Sequence, residues 1–247
     1  MKEQAGLPGK FYTAWAILVF SGFLIIFLPF FLIPPMLGPR FAAVTYLFLK
    51  IWSWLFSKLT FIRYQIQGRE QPGKGRPCIY VSNHTSFLDL PGLCLAIPGQ
   101  FRPLAKKELL KIPVFGWVVG VVTIIVDRSD AESRINSLKH MIRILQMGIP
   151  ALIFPEGTQN RTDQLLQPFK DGAFRMALET QVPIIPVIIK GAGKLMPPGK
   201  ISIRPGTVNI RFGTAINPDI FSSMTPSELK RYTFDIMESM LKSVPEN

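Results

Sequence analysis

The sequence predicts an α/β fold, a mixed, mostly parallel sheet flanked by helices, preceded by an N-terminal membrane-inserted helical hairpin. Three observations carry that expectation. No residue between Lys10 and Arg40 is charged. After residue 60, short β-branched runs alternate with segments of helical period. The 247-residue chain joins a formal net charge of +12 to 48% hydrophobic and only 18% charged residues, where average soluble domains hold about 25% charged.

The apolar start comes first. Phe11 to Ile33 is 23 residues of mostly Phe, Leu, Ile, Val and Ala. As a helix it reaches roughly 35 Å, against a hydrocarbon core of about 30 Å. It is too long for a signal peptide, and Phe-Phe-Leu-Ile-Pro-Pro offers no small-residue cleavage site. Pro29, Pro34 and Pro35 each lack an N–H and crowd the preceding turn, so they are expected to interrupt the helix. A second apolar stretch, Phe41 to Leu59, holds Trp52 and Trp54, with Lys50 and Lys58 its only charges. On a helical wheel Arg40, Lys50 and Lys58 fall in one sector, the pattern of an interfacial amphipathic helix. Positive charge flanks both stretches, so no crossing direction is favoured. A hairpin bent near Pro34-Pro35, dipping into one leaflet with both ends on the cytoplasmic side, reconciles these features better than a single span. Residues 1–60 thus form a two-helix anchor and 61–247 a separate domain.

Within 61–247 the pattern is read element by element. Phe61 to Gln67 alternates as a strand, and Gly68 to Pro77 is a turn. That turn is a near miss for a phosphate-cradling loop: Gly75 stands where a metal-binding Ser or Thr belongs, and no helix opens there. Cys78 to Val81 is a buried strand. Thr85 to Leu95 is helical, opened by Ser86 with Asp89 at capping-box spacing. Phe101 to Leu104 is a strand, Lys107 to Leu110 a helical turn, and Val121 to Val126 a continuous β-branched strand. Ser129-x-x-Glu132 caps an amphipathic helix with Ile135, Leu138, Ile142 and Leu145 on its buried face, ended by Gly148. Ala151 to Phe154 is a strand, Ala173 to Thr180 a helix, and Ile184 to Ile189 a strand. Ile201 to Arg204 and Thr207 to Phe212 flank Pro205-Gly206 as a hairpin. Thr225-Pro226-Ser227-Glu228 opens a terminal helix.

Composition narrows the function. Two cysteines, Cys78 and Cys94, exclude a disulfide scaffold and a Cys-rich zinc site. The cations are shared out: five Lys or Arg against one acid in residues 1–60, and 23 against 15 thereafter. A basic domain tethered to a membrane suits an anionic lipid surface and phosphorylated ligands. Nucleic acid is disfavoured, since there is no basic run and no aromatic RNA-binding signature.

Two constellations carry chemistry. His84 directly follows a buried-type strand, and Asp89 lies five residues on. In one regular helix they would point to opposing faces, and they can touch if His84 lies in the turn before the helix and folds back. Asp89 can then hold one ring nitrogen and leave the other as a base, or His84 can simply satisfy a loop carbonyl. Phe154-Pro155-Glu156-Gly157-Thr158 follows another strand, with a stiffened exit and a glycine that lets a ligand approach. Alone it reads equally as a turn. No carboxylate cluster suggests a metal-dependent hydrolase.

Together, His-x4-Asp and Phe-Pro-Glu-Gly-Thr about 70 residues later resemble the glycerolipid acyltransferase family, of which 1-acyl-glycerol-3-phosphate acyltransferases are the best-known members. Lys106-Lys107-Glu108-Leu109 with Pro113 and Gly116, Gly120 to Arg128, Phe169-Lys170-x-Gly172 and Val182 to Val187 are similar to its further motifs. The resemblance implies that 61–247 is an acyltransferase domain. It makes His84 the general base toward an acceptor hydroxyl and Asp89 its support. Glu156, Gly157 and Thr158 would bind the acceptor headgroup, and Arg128 and Lys106 its phosphate. No cofactor is implied; acyl-CoA or acyl-carrier protein is a co-substrate, and no metal is expected. No nucleophilic Ser is needed, consistent with the lack of a Gly-x-Ser-x-Gly elbow. One departure stands out. The family commonly has Arg after Phe-Pro-Glu-Gly-Thr, where this chain has Gln159; Arg161 is the candidate substitute. The expected acceptor is therefore 1-acyl-glycerol-3-phosphate, with another lysophospholipid or a lyso-aminolipid as the alternative. A non-catalytic lipid-binding protein is the reading of a different class, disfavoured by the intact His84 and Asp89.

Overall fold

A computed structural model describes residues 7–38, 41–69 and 77–245. The sheet has seven strands: β1 (Ile62–Gln67), β2 (Ile79–Ser82), β3 (Arg102–Lys106), β4 (Ile124–Val126), β5 (Ala151–Ile153), β6 (Ile184–Lys190) and β7 (Gly206–Phe212). Their spatial order is β1-β7-β6-β2-β5-β3-β4. Every neighbouring pair is parallel except β6 with β7. The expected mixed, mostly parallel sheet is what forms.

Helices cover both faces. Strand alternation sends Tyr80, Ile185 and Val187 into one core and Ile79, Val81 and Ile188 into the other. The first core lies under α1 (Leu7–Met36), α2 (Ala42–Leu59), α3 (Asp89–Ala96) and α4 (Phe115–Val122). The second lies under α5 (Ala131–Gln146), α6 (Gly172–Thr180) and α9 (Pro226–Ser243). Two short helices, α7 (Ala192–Leu195) and α8 (Pro218–Phe221), follow β6 and β7. The terminal helix opens on the expected capping box, Thr225 and Glu228 each satisfying the other's backbone N–H.

The N-terminal stretches form two antiparallel packed helices. Thr45 Oγ1 bonds Phe31 O, while near the other end Trp15 Nε1 bonds Leu59 O. The prolines do not interrupt α1, which runs through Pro29 and ends at Met36. The reason is visible at Pro35. Its missing N–H orphans the carbonyl of Phe31 four residues back, and the Thr45 hydroxyl takes that carbonyl at 3.3 Å. The second stretch also differs from the amphipathic expectation. Leu49, Trp52 and Phe56 pack inward, while Val44, Leu47, Ile51 and Trp54 form an exposed apolar stripe. Lys50 is half-buried and Lys58 exposed; Arg40 lies outside the described residues. A helix apolar on both faces, with protein on one, leaves the other for a non-aqueous partner. Among the described residues, α1 alone is long and apolar enough to cross a membrane.

Five local expectations are corrected. The helix after His84 begins at Asp89 rather than Thr85, because that carboxylate is drawn back into the preceding turn, where it accepts from the N–H groups of Thr85 and Ser86. Val121–Val122 belongs to α4, and the strand starts at Ile124. Packing overrides β propensity there: Val118 and Val119 are buried, and Tyr46 donates to Val122 O at 3.1 Å. Asp130, not Ser129, caps α5, accepting from the N–H groups of Glu132 and Ser133. Met141, Ile142 and Leu145 are buried, but Ile135 is 54% exposed and Leu138 half-buried. Residues 201–204 form no strand; instead Thr13 Oγ1 holds Ile203 through both its N–H, at 3.1 Å, and its carbonyl. The near-miss glycine loop falls mostly outside the described residues.

Candidate active site

The site gathers beyond the C-terminal ends of β2, β4 and β5, where ligands of parallel sheets lie. Buried Asn83 closes β2 by pairing with the main chain of Ile189 on β6, Nδ2 donating at 2.9 Å and Oδ1 accepting at 2.7 Å. The chain therefore leaves the sheet at a fixed angle, and His84 sits on the turn.

Asp89 supports that turn from inside. Its side chain is fully buried, and Oδ2 accepts from His84 Nδ1 at 2.8 Å, from Thr85 N at 2.8 Å and from Ser86 N at 2.9 Å. A carboxylate only accepts, so Nδ1 carries the proton and Nε2 presents a lone pair. The imidazole is 17% exposed. Its other support is the Phe154 ring, stacked at 4.2 Å between centroids and 22° between planes. The open alternative at this histidine is thereby resolved toward the carboxylate partner.

Glu156 joins the two constellations. Its Oε1 accepts from His84 N and its Oε2 from Gln167 N, each at 2.9 Å. A further strut runs from Asn160 N to His84 O at 2.6 Å. Burial pushes the Glu156 carboxyl upward, opposed by the backbone N–H groups of Gln167 and His84. Both oxygens thus accept backbone N–H groups, so Glu156 braces the catalytic turn while it also lines the cleft. Gly157 has φ +76°, a left-handed conformation that a side chain would strain. A Cβ there would lie 3.7 Å from the Lys170 stem and 3.8 Å from Arg128 Nη1.

Those two cations mark the mouth of a cleft between α5 and α6, with a cavity volume of about 890 Å³. Volumes of about 300–1,000 Å³ are usual for small-ligand sites. Arg128, Arg134, Lys170 and Arg175 line it, and Glu156 is the one lining acid. Exposed Ile135, with Leu138, Met141 and Met176, forms its apolar wall. Phe154, Gly157 and Thr158 line it too, so the cleft approaches His84 across the Phe154 ring. Burial lowers the Arg128 pKa and Glu108 opposes that; the guanidinium stays charged. Arg134 Nη1 bonds Arg128 O at 2.7 Å.

Lys106 ends β3 in register with Val126 but does not line the cleft. Gln159 is buried, and its carbonyl accepts from Gln167 Nε2 at 3.3 Å. Arg161 is exposed and reaches the 197–200 loop, where a Cβ on Gly199 would lie 3.2 Å from its Nη2. Sequence reasoning missed Asn83, Gln167, Arg134 and Arg175, whose roles depend on contacts between distant strands and helices.

Comparison with known proteins gives the family and the fold. The family described as Acyltransferase matches residues 63–190. A chloroplastic 1-acyl-sn-glycerol-3-phosphate acyltransferase of Brassica napus is 38% identical over 156 residues, 62% of this chain and 44% of the plant chain. The corresponding Arabidopsis thaliana protein is 36% identical over 156 residues, 62% and 43% of the two chains. The alpha form from Homo sapiens is 31% identical over 184 residues, 73% and 63%. The chain thus spans less than half the length of the plant relatives it matches. The crystal structure of the 1-acyl-sn-glycerophosphate acyltransferase PlsC from Thermotoga maritima superposes with a TM-score of 0.83. It is 23% identical and covers 98% of this chain and 99% of its own, which shows a shared fold.

Proposed function

The chain belongs to the acyltransferase family, and from that premise we propose that it acylates a lysophospholipid, 1-acyl-sn-glycerol-3-phosphate to phosphatidic acid, at a membrane surface. The observation that carries the reading is the His84–Asp89 pair, braced through Glu156 to a loop that opens on a cation-lined cleft. The activity for which the relatives are named supports the choice of acceptor.

The chemistry follows from the geometry. His84 Nε2 takes the proton of the acceptor hydroxyl as its oxygen attacks the carbonyl carbon of an acyl thioester. The tetrahedral intermediate collapses, the C–S bond breaks, and the departing thiolate takes the proton back from the imidazolium. The products are an ester and a free thiol, and His84 is neutral again. Asp89 keeps Nδ1 protonated and stabilises the imidazolium while it exists. A positioned base contributes about 10²–10⁴-fold. Arg128 and Lys170 hold the acceptor phosphate, the guanidinium as a fork and the ammonium as a point charge. The thioester donor is acyl-CoA or acyl-carrier protein.

Residues 1–60 act as the membrane anchor and 61–247 as the catalytic domain. The exposed apolar stripes of α1 and α2 face one leaflet, with the domain on the cytoplasmic side. A second acceptor reading rests on Gln159: with no cation at that position, a lysophospholipid bearing a larger headgroup or a lyso-aminolipid fits the same cleft. The experiment is an acceptor panel with labelled acyl-CoA and the purified chain. Transfer to lysophosphatidate at the highest kcat/KM supports the first reading, and preference for another lysolipid the second. Binding without transfer to any acceptor overturns the enzymatic account.

A further inference from the structure

Away from the cleft, the segment between α7 and β7 carries a feature that acyl transfer does not use. After Pro197-Pro198-Gly199, residues 200–204 run alongside the first turns of α1, pinned by Thr13 to Ile203. Ile203 turns inward and is buried, while Ile201 points outward and is 78% exposed. A lone exposed isoleucine means little. This one borders a hollow of about 480 Å³ whose lining, among the described residues, includes Lys10, Ala14 and Ile17 of α1 together with Lys200. Leu7 and Phe11 on the same end of α1 are 72% and 73% exposed. Phe61 is exposed as well, and Gly206, where β7 begins, bonds its carbonyl at 3.3 Å. The outcome is an exposed apolar surface studded with cations and continuous with the outer face of the hairpin, the combination that lies at a lipid headgroup boundary.

We propose that the 197–204 loop is a second membrane contact, in which Ile201 enters the leaflet and Lys10 and Lys200 hold the phosphate of an anionic phospholipid. The occupant is a phospholipid leaflet because the surface needs apolar and anionic partners at once and adjoins helices already apolar on their outer sides. This rests on the hairpin being membrane-inserted. The segment that leads into the loop packs on the catalytic turn: Ser86 Oγ bonds Met196 O at 2.9 Å, and a Cβ on Gly193 would meet Thr85 Cβ at 3.2 Å, while Arg161 lies against Gly199 of the loop. Seating the loop therefore sets His84 at the depth of lysolipid headgroups.

The test is flotation of the full-length chain with vesicles of phosphatidylcholine alone or with three-tenths phosphatidylglycerol. Lys200→Ala is expected to lower partition onto the anionic vesicles about fivefold, with little change on the neutral ones. Ile201→Asp is expected to lower partition onto both, about tenfold or more. Neither side chain touches the catalytic turn, so turnover of a monomeric short-chain lysophosphatidate stays at the wild-type value while KM for vesicle-presented acceptor rises. Loop variants that float like the wild type overturn the loop contact alone. A wild type that floats with neither vesicle overturns both the loop contact and the membrane attachment beneath it.

Discussion

Replacing Asp89 by Asn separates support of the base from support of the fold. The side chain is fully buried, and Oδ2 takes three donors at 2.8, 2.8 and 2.9 Å, while Oδ1 has no partner among the described residues. An asparagine oxygen in the Oδ2 position keeps all three donors. Its amide then occupies the position of Oδ1, a buried atom without a hydrogen-bond partner among the described residues, and an unsatisfied donor there costs about 1–3 kcal/mol. For a chain of this size that lowers Tm by about 2–12 °C. The effect on turnover is larger. The variant meets the imidazolium formed during proton transfer with a neutral amide, and kcat should fall about 10²–10⁴-fold. Acceptor KM should hold, because Asp89 is fully buried and the imidazole stands between it and the acceptor. The assay pairs thermal unfolding with initial rates at a temperature where the variant is folded. A kcat within tenfold of wild type, or a loss that merely tracks the unfolded fraction, would refute the reasoning.

Other outcomes follow from the same geometry. Arg128→Ala removes the half-buried fork at the cleft mouth; charge-assisted hydrogen bonds of about 1.5–3 kcal/mol make KM for lysophosphatidate rise about tenfold to a hundredfold, measured by steady-state kinetics. Gly116→Ala would drive a Cβ into the carbonyl oxygen of Leu110; overpacking of about 1–3 kcal/mol should appear as a lower urea midpoint. Asp127 is held down to about 2, first by the Lys107 ammonium and then by the Ser129 hydroxyl. A carboxyl lowered on folding stabilises above its unfolded pKa of about 3.9. The stability difference between wild type and Asp127→Asn should therefore be full at pH 7 and narrow as pH falls from about 4 toward 2, followed by urea melts.

Much of this was legible in the sequence because it is local. Alternation in Ile62–Gln67, the apolar run around β6 and the Thr225 capping box each need only neighbouring residues. The His84–Asp89 pair was legible as a spacing that excludes a common helix. The brace from Glu156 to His84 was not, since it spans 72 positions and looks from sequence like one more polar turn residue. The cleft was hidden for a related reason. Ile135 and Leu138 fit a buried helical stripe, and only the separation of α5 from α6 turns them into a wall. In α4, the valines read as strand until Tyr46 and Gly116 contacts are known. Pro35 reads as a breaker until Thr45 supplies a partner for the Phe31 carbonyl.

The most direct test of the account is acyl transfer by His84→Ala. The purified variant, with labelled acyl-CoA and lysophosphatidate, should keep the wild-type fold and vesicle binding while kcat drops at least about 10²-fold. Imidazole added to the assay should restore part of that rate. Wild-type turnover by the folded variant would contradict a mechanism in which His84 is the base.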